Sequence, residues 1–533
     1  MSGEREARTC DYLIVGAGSA GCALAGRLSE DSDARVVVIE SGGADSLPEV
    51  HIPAAFPALF KSSLDWDLLG EPEPGLGNRR LYLPRGRLLG GSSSINAMIY
   101  IRGNRADYDG WARAGCEGWS YEQVLPYFRR SEDNERGEDA YHGVGGPLSV
   151  SDSRSMHPLV DTMLEAATQA GHERNPDFNG ARQEGVGRFQ LTQRGGLRWS
   201  AADAFVHPAL GRPNLELLTH ALALRILFEG ERAVGVEIAR HDQVERIYAE
   251  REVILSAGAY QSPVLLMLSG IGPEDQLAPL GIEMRAWLPV GQGLQDHCMV
   301  NLNFLTDLPS LFMATTPENI ALLESQGRGP LSSNIPEGGG FFRTRPGLDA
   351  PDVEFHFAAS MLYDDALTAP ADHGYCFGPV VIKPTSRGRV MLRGPLPYSK
   401  PRVLCNFLTT EEDRQSMLEG LRIALEIARQ PALRGIERAP FSVPRSDSDA
   451  DLMSFVERTG QTVYHPTSTC AMGAVVDSEL RVHGFEGLRV VDASVMPEIT
   501  RGNTNAATIM IAERAATLIR QASAPRAGTE VAG

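Results

Sequence analysis

One short segment near the N-terminus constrains the fold of this chain more than any other. Residues 11–15 form an apolar run typical of a β-strand, Gly16, Gly18 and Gly21 then complete a GxGxxG pattern, and residues 22–28 are small and apolar enough to form a helix. In such a unit the first glycine permits a tight turn, the second lets backbone approach a pyrophosphate, and the third lets the helix pack on the strand. Free N–H groups at the helix N-terminus then face the phosphates. The segment therefore predicts a dinucleotide-binding turn.

A second strand supports this interpretation. The run Arg35–Ile39 ends at Glu40, which lies 19 positions after Gly21. An acidic residue about 20 positions after the glycines is the usual partner of an adenosine ribose. Both FAD and NAD carry an ADP half, so the motif alone leaves the two cofactors open.

Further glycine-rich and strand-like segments follow. Residues 86–96 combine flexible backbone with three serine hydroxyls, and residues 252–259 read as a strand that enters small residues. Near the C-terminus, residues 488–494 form another strand, 502–508 are rich in Asn and Thr, and 509–520 predict an apolar, Ala-rich helix. A buried polar loop must satisfy its backbone groups, and a polar ligand is one way to do so.

These segments resemble the glucose–methanol–choline (GMC) family of flavin oxidoreductases. Both glycine-rich signatures of the family match without a gap, at Gly86 through Asn96 and at Gly258 through Gly272, and the similarity extends over roughly residues 10–520. The chain is most similar to the choline-dehydrogenase-like and sorbose-dehydrogenase-like branch. The resemblance implies FAD rather than NAD. It also implies an α/β fold in which a Rossmann-type FAD-binding domain is interleaved with an antiparallel-sheet substrate domain backed by helices.

The expected domains alternate along the chain. The FAD-binding domain comprises residues 9–155, 200–300 and 461–522, the substrate domain comprises 156–199 and 301–460, and 523–533 form a flexible tail. Within the substrate domain, Val353–Ala358 alternates polar and apolar residues, which predicts a strand with one face covered. Residues 410–428 predict a helix.

The motifs and the resemblance together give a set of predicted cofactor contacts: Gly16, Gly18, Ser19, Ala20, Gly21, Glu40, Ser41, Gly90, Gly91, Ser92, Asn96, Ala97, Met98, Ala257, Gly258, Asp492, Ala493, Asn505 and Thr508. Some family members bind FAD covalently through a histidine in the loop after the double glycine. That position is Ile95 here. Isoleucine cannot form such a bond, so noncovalent FAD is expected.

The resemblance also implies a catalytic pair. His465 precedes Pro466 and occupies the position of the catalytic histidine of the family; Asn505, 40 positions later, is taken as its partner. A neutral imidazole can accept a hydroxyl proton near physiological pH. An asparagine amide can hydrogen-bond the developing alkoxide without competing as a base. The flavin carries out the redox step.

Two further residues are candidate substrate contacts. Tyr464 either lines the same pocket or is a core aromatic. Glu337 matches a glutamate that binds the trimethylammonium group of choline in choline-oxidising relatives, although relatives that oxidise uncharged alcohols also carry a glutamate there. The predicted reaction is FAD-dependent oxidation of an alcohol to an aldehyde or ketone, with oxygen or a quinone-like acceptor. A non-redox lyase of the hydroxynitrile-lyase type on the same fold is the alternative, and a flavin-binding protein without turnover is disfavoured by the catalytic pair.

Composition excludes several other classes. The formal net charge of −18 disfavours nucleic acid as a partner. No apolar run is long enough to predict a membrane span. The seven cysteines form no CxxC pair, which favours isolated reduced thiols and no metal centre. The polar N-terminus lacks a signal-peptide core, and a cytoplasmic location is expected.

Overall fold

The fold is built around two large β-sheets. In the computed structural model, residues 8–523 are described. The N-terminal run forms the strand Arg8–Val15, and the helix Ser19–Leu28 begins directly after the glycine turn. The strand Val36–Ile39 pairs in parallel with Arg8–Val15, with Tyr12 opposite Val36 and Val15 opposite Ile39. The predicted βαβ unit is therefore present.

The first sheet is mixed. Its parallel part runs in the order Leu215–Leu218, Val36–Ile39, Arg8–Val15, Gln243–Leu255 and Leu488–Val490. The long strand Gln243–Leu255 also joins an antiparallel meander with Arg232–Arg240 and Leu222–Glu229. Chain segments that are hundreds of residues apart thus end at one edge of the sheet.

The second sheet is antiparallel throughout. Its main path contains the strands Glu437–Ser442, Leu302–Thr306, Gly374–Val381, Val353–Ala358, Pro336–Phe342 and Gly185–Arg188. Two short strands, Cys298–Met299 and Gln461–Thr462, extend it beside Gly374–Val381. Both lie just outside the residue ranges predicted for the substrate domain. They connect the second sheet to the segment that carries His465.

Helices back this second sheet. Pro158–Gln169 and Glu411–Ala428 pack on its central strands. The predicted exposed face of Val353–Ala358 was wrong, because the strand is covered on both sides. Val353 faces Gly420 of the helix, while His356 on the opposite face contacts the Phe189 ring at a centroid distance of 5.8 Å.

The remaining α-helices connect and cover the two sheets. They are Pro48–His51, Arg105–Arg113, Tyr121–Ser131, Gly258–Leu268, Glu274–Leu277, Pro317–Gln326, Pro431–Arg434, Asp449–Thr459 and Asn505–Ser523. Smaller sheets are formed by Gln292–Leu294 with Gly388–Met391 and Arg402–Leu404, by Glu132–Asn134 with Leu148–Asp152 and Gln190–Leu191, by Leu68–Leu69 with Tyr82–Leu83, and by Gln193–Arg194 with Leu197–Arg198.

The C-terminal helix closes the fold against the first one. Asn505–Ser523 packs on Ser19–Leu28, and Arg27 donates to the buried carboxylate of Glu513. The tail predicted for 523–533 lies, beyond Ser523, outside the described residues. All seven cysteines are buried and none is in a disulfide. Within residues 8–523, no helix combines the length and apolarity needed to cross a membrane.

Candidate active site

A long cavity begins at the carboxyl ends of the parallel strands and reaches His465. Most of the predicted cofactor contacts line it: Gly16, Gly18, Ser19, Ala20, Glu40, Ser41, Gly91, Ser92, Asn96, Ala97, Met98, Ala257, Gly258, Asp492, Ala493, Asn505 and Thr508. Gly21 and Gly90 do not face the cavity.

Backbone conformation at the first turn depends on glycine. Gly16 has φ +100°, and a Cβ there would lie 2.6 Å from the carbonyl oxygen of Ser256. Gly18 and Gly91 approach so closely that a Cβ on Gly91 would lie 2.6 Å from the Cα of Gly18. A Cβ on Gly21 would overlap the carbonyl oxygen of Gly16, so only glycine at this position lets the helix pack this closely against the turn. We call the backbone of Gly16, Gly18 and Gly91 the glycine cradle.

The helix behind this cradle presents unpaired donors. Ser19–Leu28 is preceded by Gly18, which caps it with no side chain. The first N–H groups of a helix have no acceptor within the helix, and the positive end of the dipole lies there. A pyrophosphate fits both features.

Glu40 lies at the end of the strand Val36–Ile39. Its carboxylate accepts hydrogen bonds from the backbone N–H of Ala17, at 3.0 Å, and of Gly42, at 2.8 Å. Burial raises the pKa of this carboxyl group above its ordinary value. Glu40 thus fixes the glycine turn while lining the cavity where the sequence places an adenosine ribose.

The second glycine loop packs on the first. The N–H of Gly90 donates to the carbonyl oxygen of Ala17 at 2.8 Å, with φ +85° at Gly90. Buried Arg198 donates to the side-chain oxygen of Asn96 at 2.7 Å. Gly90 thus supports the glycine cradle through its hydrogen bond to Ala17 and does not line the cavity itself. Ile95 is buried among aliphatic side chains and lines the cavity.

Asp492 joins two edges of the site. Its carboxylate accepts from the N–H of Gly258 at 2.8 Å and from the Ser262 hydroxyl at 2.5 Å, and its other oxygen accepts from the N–H of Ser494. Burial raises the pKa of Asp492 above its ordinary value. The carboxylate holds the strand ends at 255 and 490 together beside the cavity.

At the other end of the cavity lies His465, which is 9% exposed. Its Nε2 is 3.2 Å from Nδ2 of Asn503, and its Nδ1 is 3.0 Å from Nδ1 of His297. Asp296 accepts from its backbone N–H at 2.8 Å. Burial, with a smaller contribution from His297, places the pKa of His465 well below its ordinary value of 6.5.

The partner of His465 is therefore Asn503, and the prediction that Asn505 fills this role was wrong. Asn505 is the first residue of the C-terminal helix, and its Oδ1 accepts from the Ser19 hydroxyl at 2.6 Å. It lines the cofactor part of the cavity. Two asparagines that lie two residues apart are indistinguishable by spacing, and the direction of the chain entering the helix decides between them.

The prediction that Glu337 contacts substrate was also wrong. The residue is fully buried in the second sheet, and its carboxylate is bound by Arg188 at 3.0 Å, by the N–H of His157 at 2.7 Å and by the Ser333 hydroxyl at 2.7 Å. The neighbouring Pro336 lines the cavity, whereas Glu337 does not. Side chains alternate along a strand, so adjacent residues point to opposite faces.

Tyr464 lies in the lining beside His465. Its ring meets Phe60 edge-on at a centroid distance of 5.6 Å, and its hydroxyl donates to the carbonyl oxygen of Asp365 at 3.2 Å. The guanidinium group of Arg85 donates to the backbone carbonyl oxygen of Tyr464 at 2.6 Å. The residue has φ +70°, a conformation that turns the chain immediately before His465.

Sequence reasoning missed several residues around the histidine, namely Arg85, His297, Met299, His356 and Asn503. His297 is 168 positions from His465 in sequence. The signal for Asn503 was present in the Asn-rich segment. His297 lies directly before the short strand Cys298–Met299, and no local pattern connects this strand to the site.

This arrangement matches a known group of enzymes. GMC oxidoreductase family models match residues 10–299 and 384–512. Human mitochondrial choline dehydrogenase is 44% identical over 534 residues, covering 96% of this chain and 89% of its own. Alcohol dehydrogenase [acceptor] from Pseudomonas putida is 42% identical, covering 96% and 95%. The structure of pyridoxine 4-oxidase from Mesorbium loti superposes with a TM-score of 0.88 at 34% identity, covering 96% and 99%.

A glycine cradle on a parallel sheet, joined by one cavity to a buried histidine, defines a flavin-dependent oxidoreductase. The chain belongs to the GMC oxidoreductase family. The resemblance, the fold class and the enzyme class predicted from the sequence, an FAD-dependent oxidoreductase acting on CH–OH donors, are thus confirmed.

Proposed function

We propose that this protein oxidises an alcohol to an aldehyde or ketone, with His465 as the base and Asn503 as the donor to the alcohol oxygen. The observation that carries the proposal is the contact between His465 Nε2 and Asn503 Nδ2 at one end of the cavity. The Oδ1 atom of Asn503 is buried with no hydrogen-bond partner among residues 8–523. A buried polar atom in this state is an expected contact for a bound molecule.

The residues of the cavity fit FAD. At Gly16 and Gly91 the cradle leaves no room for a side chain. The helix N-terminus has no side-chain cap, and Glu40 lies where the sequence places the ribose. When bound, FAD supplies the hydride acceptor at N5 of its ring system. The cradle would hold its phosphates and Glu40 its ribose, and the same cavity continues from there to His465.

The protein then handles the proton. Neutral His465 accepts the hydroxyl proton at Nε2 as the carbinol hydrogen leaves with its electron pair. Asn503 donates an amide N–H to the oxygen while negative charge develops on it, which stabilises the transition state more than the neutral alcohol. The proton taken up by His465 and the hydride lost from carbon together account for the two hydrogens removed.

The protonation of His465 Nδ1 follows from its contact with His297. The amide nitrogen of Asn503 can only donate, so His465 Nε2 is its acceptor and carries no proton. The proton of His465 therefore lies on Nδ1 and is donated to Nδ1 of His297. His297 then carries its own proton on Nε2. Burial lowers the pKa of His297 to about 3, so this residue stays neutral and orients the base without competing for the proton.

Three finer features complete the proposal. FAD is held noncovalently, because Ile95 stands in the loop after the double glycine and has no nucleophilic atom; flavin released into the supernatant on acid denaturation supports this, and colour retained by the precipitate contradicts it. Oxygen or a quinone-like compound accepts the electrons. The cytoplasm is the proposed location.

The decisive experiment is anaerobic mixing of the purified holoenzyme with a panel of alcohols while the flavin absorbance is followed. Bleaching by an alcohol, with formation of the matching aldehyde or ketone, supports the proposal, and reoxidation by oxygen or a quinone then identifies the acceptor. Product formation with no change in the flavin spectrum would favour the lyase alternative.

A further inference from the structure

The part of the cavity around His465 is predominantly apolar. We call it the His465 end; its side chains come from several separate elements, and they are Phe56, Phe60, Arg85, Met299, His356, Leu362, Ala366, Val463, Tyr464 and His465. Phe60 and Tyr464 are in edge-on contact, and Met299 and Val463 are buried in one apolar cluster. Surfaces of this kind bind hydrocarbon groups by removing them from water.

No carboxylate belongs to the His465 end. Among residues 8–523, the carboxylates in the cavity lining are Glu40 and Asp492, at the ends of the parallel strands. Each is already hydrogen-bonded to backbone N–H groups. The glutamate expected to face the substrate, Glu337, is instead bound by Arg188 inside the second sheet.

Other buried carboxyl groups pack behind the lining. Glu354 Oε1 lies 3.3 Å from Nε2 of His356, and the ring of His356, not the carboxylate, lines the cavity. Asp296 accepts from the backbone N–H groups of His297 and His465 and from the Thr462 hydroxyl. Asp365 contacts Tyr464 through its backbone carbonyl oxygen. Neither side chain reaches the cavity surface.

At the His465 end, the fixed charge in the lining is positive, and Arg85 carries it. Arg85 donates to the carbonyl oxygens of Tyr464 and Pro84, which hold its guanidinium group beside the base. Both acceptors are neutral, and no salt bridge joins Arg85 to a carboxylate of the described chain. A guanidinium group repels another cation, and an apolar wall cannot replace the water that a cation leaves behind.

We propose that the substrate is an uncharged alcohol with an aliphatic or aromatic substituent, and that the His465 end discriminates against quaternary ammonium alcohols. The proposal rests on the alcohol oxidation described under Proposed function. Relatives named choline dehydrogenase are 44% identical to this chain. Overall identity of that size does not specify the charge of one wall of the cavity, which a single side chain can change.

Choline and 3,3-dimethylbutan-1-ol provide the test, because they have nearly the same shape and differ in the charge of one central atom. The rate of anaerobic flavin reduction by the holoenzyme is measured as a function of the concentration of each, with hexan-1-ol and benzyl alcohol as further neutral substrates. We expect the second-order rate constant for the neutral isostere to exceed that for choline by about 10²-fold, equivalent to about 2.7 kcal/mol at 1.36 kcal/mol per tenfold.

Each outcome has a distinct meaning. Choline that reduces the flavin as fast as its isostere, or faster, overturns the substrate assignment and leaves alcohol oxidation in place. Failure of every alcohol, charged or neutral, to reduce the flavin overturns the proposed function and the substrate assignment with it.

A matched pair of variants at Met299 tests whether charge in the cavity lining sets the substrate preference. Glutamate and glutamine have side chains of nearly the same length as methionine, and only one of them adds a charge. Met299→Glu should raise the preference for choline over its isostere at least about tenfold relative to Met299→Gln, since a desolvated carboxylate favours a cation. An equal preference in the two variants would contradict a charge-based selection.

Discussion

The Nδ1 atoms of His297 and His465 lie 3.0 Å apart in a buried pair. A hydrogen bond between two such nitrogens holds one proton, so each ring determines the tautomer of the other. One oxygen of Asp296, Oδ1, accepts from the backbone N–H groups of both residues, at 2.8 Å each, and so fixes the backbone of the pair. The base of the proposed reaction is therefore oriented by two residues that directly precede a strand of the second sheet, while the cofactor cradle belongs to the first sheet.

Replacement of the base is the first test. His465→Ala should retain the flavin and slow its anaerobic reduction by an alcohol about 10²–10⁴-fold, the usual contribution of a general base. Stopped-flow absorbance of the variant measures this rate, and the flavin-to-protein ratio is the control for binding. Reduction at the wild-type rate would exclude His465 as the base.

The two asparagines should separate in function. Asn503→Ala should keep the flavin and lower the reduction rate about 10²–10³-fold, as for the loss of one donor to a developing oxyanion. Asn505→Ala, the matched control, should instead weaken flavin retention, because its contact is with Ser19 at the glycine cradle. The opposite assignment of the two defects would return the catalytic role to Asn505.

The pH dependence of flavin reduction follows from the lowered pKa of His465. A base must be deprotonated to act, and a pKa well below 6.5 leaves it deprotonated at every pH above that value. The rate should thus be constant from about pH 7 upward and fall only as the pH drops through the lowered pKa.

A second group complicates the acidic side of this profile. Burial raises the pKa of Asp296 to about 6. Asp296→Asn removes that titration while keeping an acceptor for the backbone of His465, so any acidic limb left in this variant reports His465. A rate that climbs between pH 7 and pH 9 in both proteins would contradict the predicted protonation state.

Glu40 should stabilise both the cofactor and the fold. Glu40→Ala should weaken FAD binding by about 1.5–3 kcal/mol, the magnitude of a hydrogen bond to a charged group. It should also lower the melting temperature of the apoprotein, since the N–H groups of Ala17 and Gly42 lose their acceptor. Glu40→Gln keeps one acceptor oxygen and should show smaller effects. Unchanged flavin affinity in Glu40→Ala would exclude the ribose contact.

Glu337 should matter for stability and leave substrate preference unchanged. Glu337→Gln removes the negative charge that faces the guanidinium group of Arg188. The variant should have a free energy of unfolding lower by about 1–3 kcal/mol, the cost of impairing a buried polar pair. Asp161, the exposed second partner of Arg188, is the control, and Asp161→Asn should cost under about 1 kcal/mol. A changed ratio of choline to neutral-alcohol oxidation in Glu337→Gln would restore a substrate role for Glu337.

The cofactor part of the cavity could be predicted from the sequence because the residues that form it lie close together in the chain. The strand, the GxGxxG turn and the helix occupy one continuous segment of about 20 residues. Each glycine of the turn is required by the steric limits of that segment alone. The position of Glu40 follows from the length of one βαβ unit. The same locality explains why the helices 19–28 and 411–428 were predicted within a few residues of their observed limits.

The substrate end was decided by tertiary structure. His465, Asn503 and the segment that holds His297 and Met299 are far apart in sequence, and their contacts depend on how the second sheet meets the first. The family resemblance selected Asn505 and Glu337. The start of the last helix turns Asn505 toward Ser19, and strand alternation buries Glu337 against Arg188. Residue types in a motif determine which chemistry a chain can perform. Which of two nearby side chains performs it depends on directions in space, which arise only when distant segments pack together.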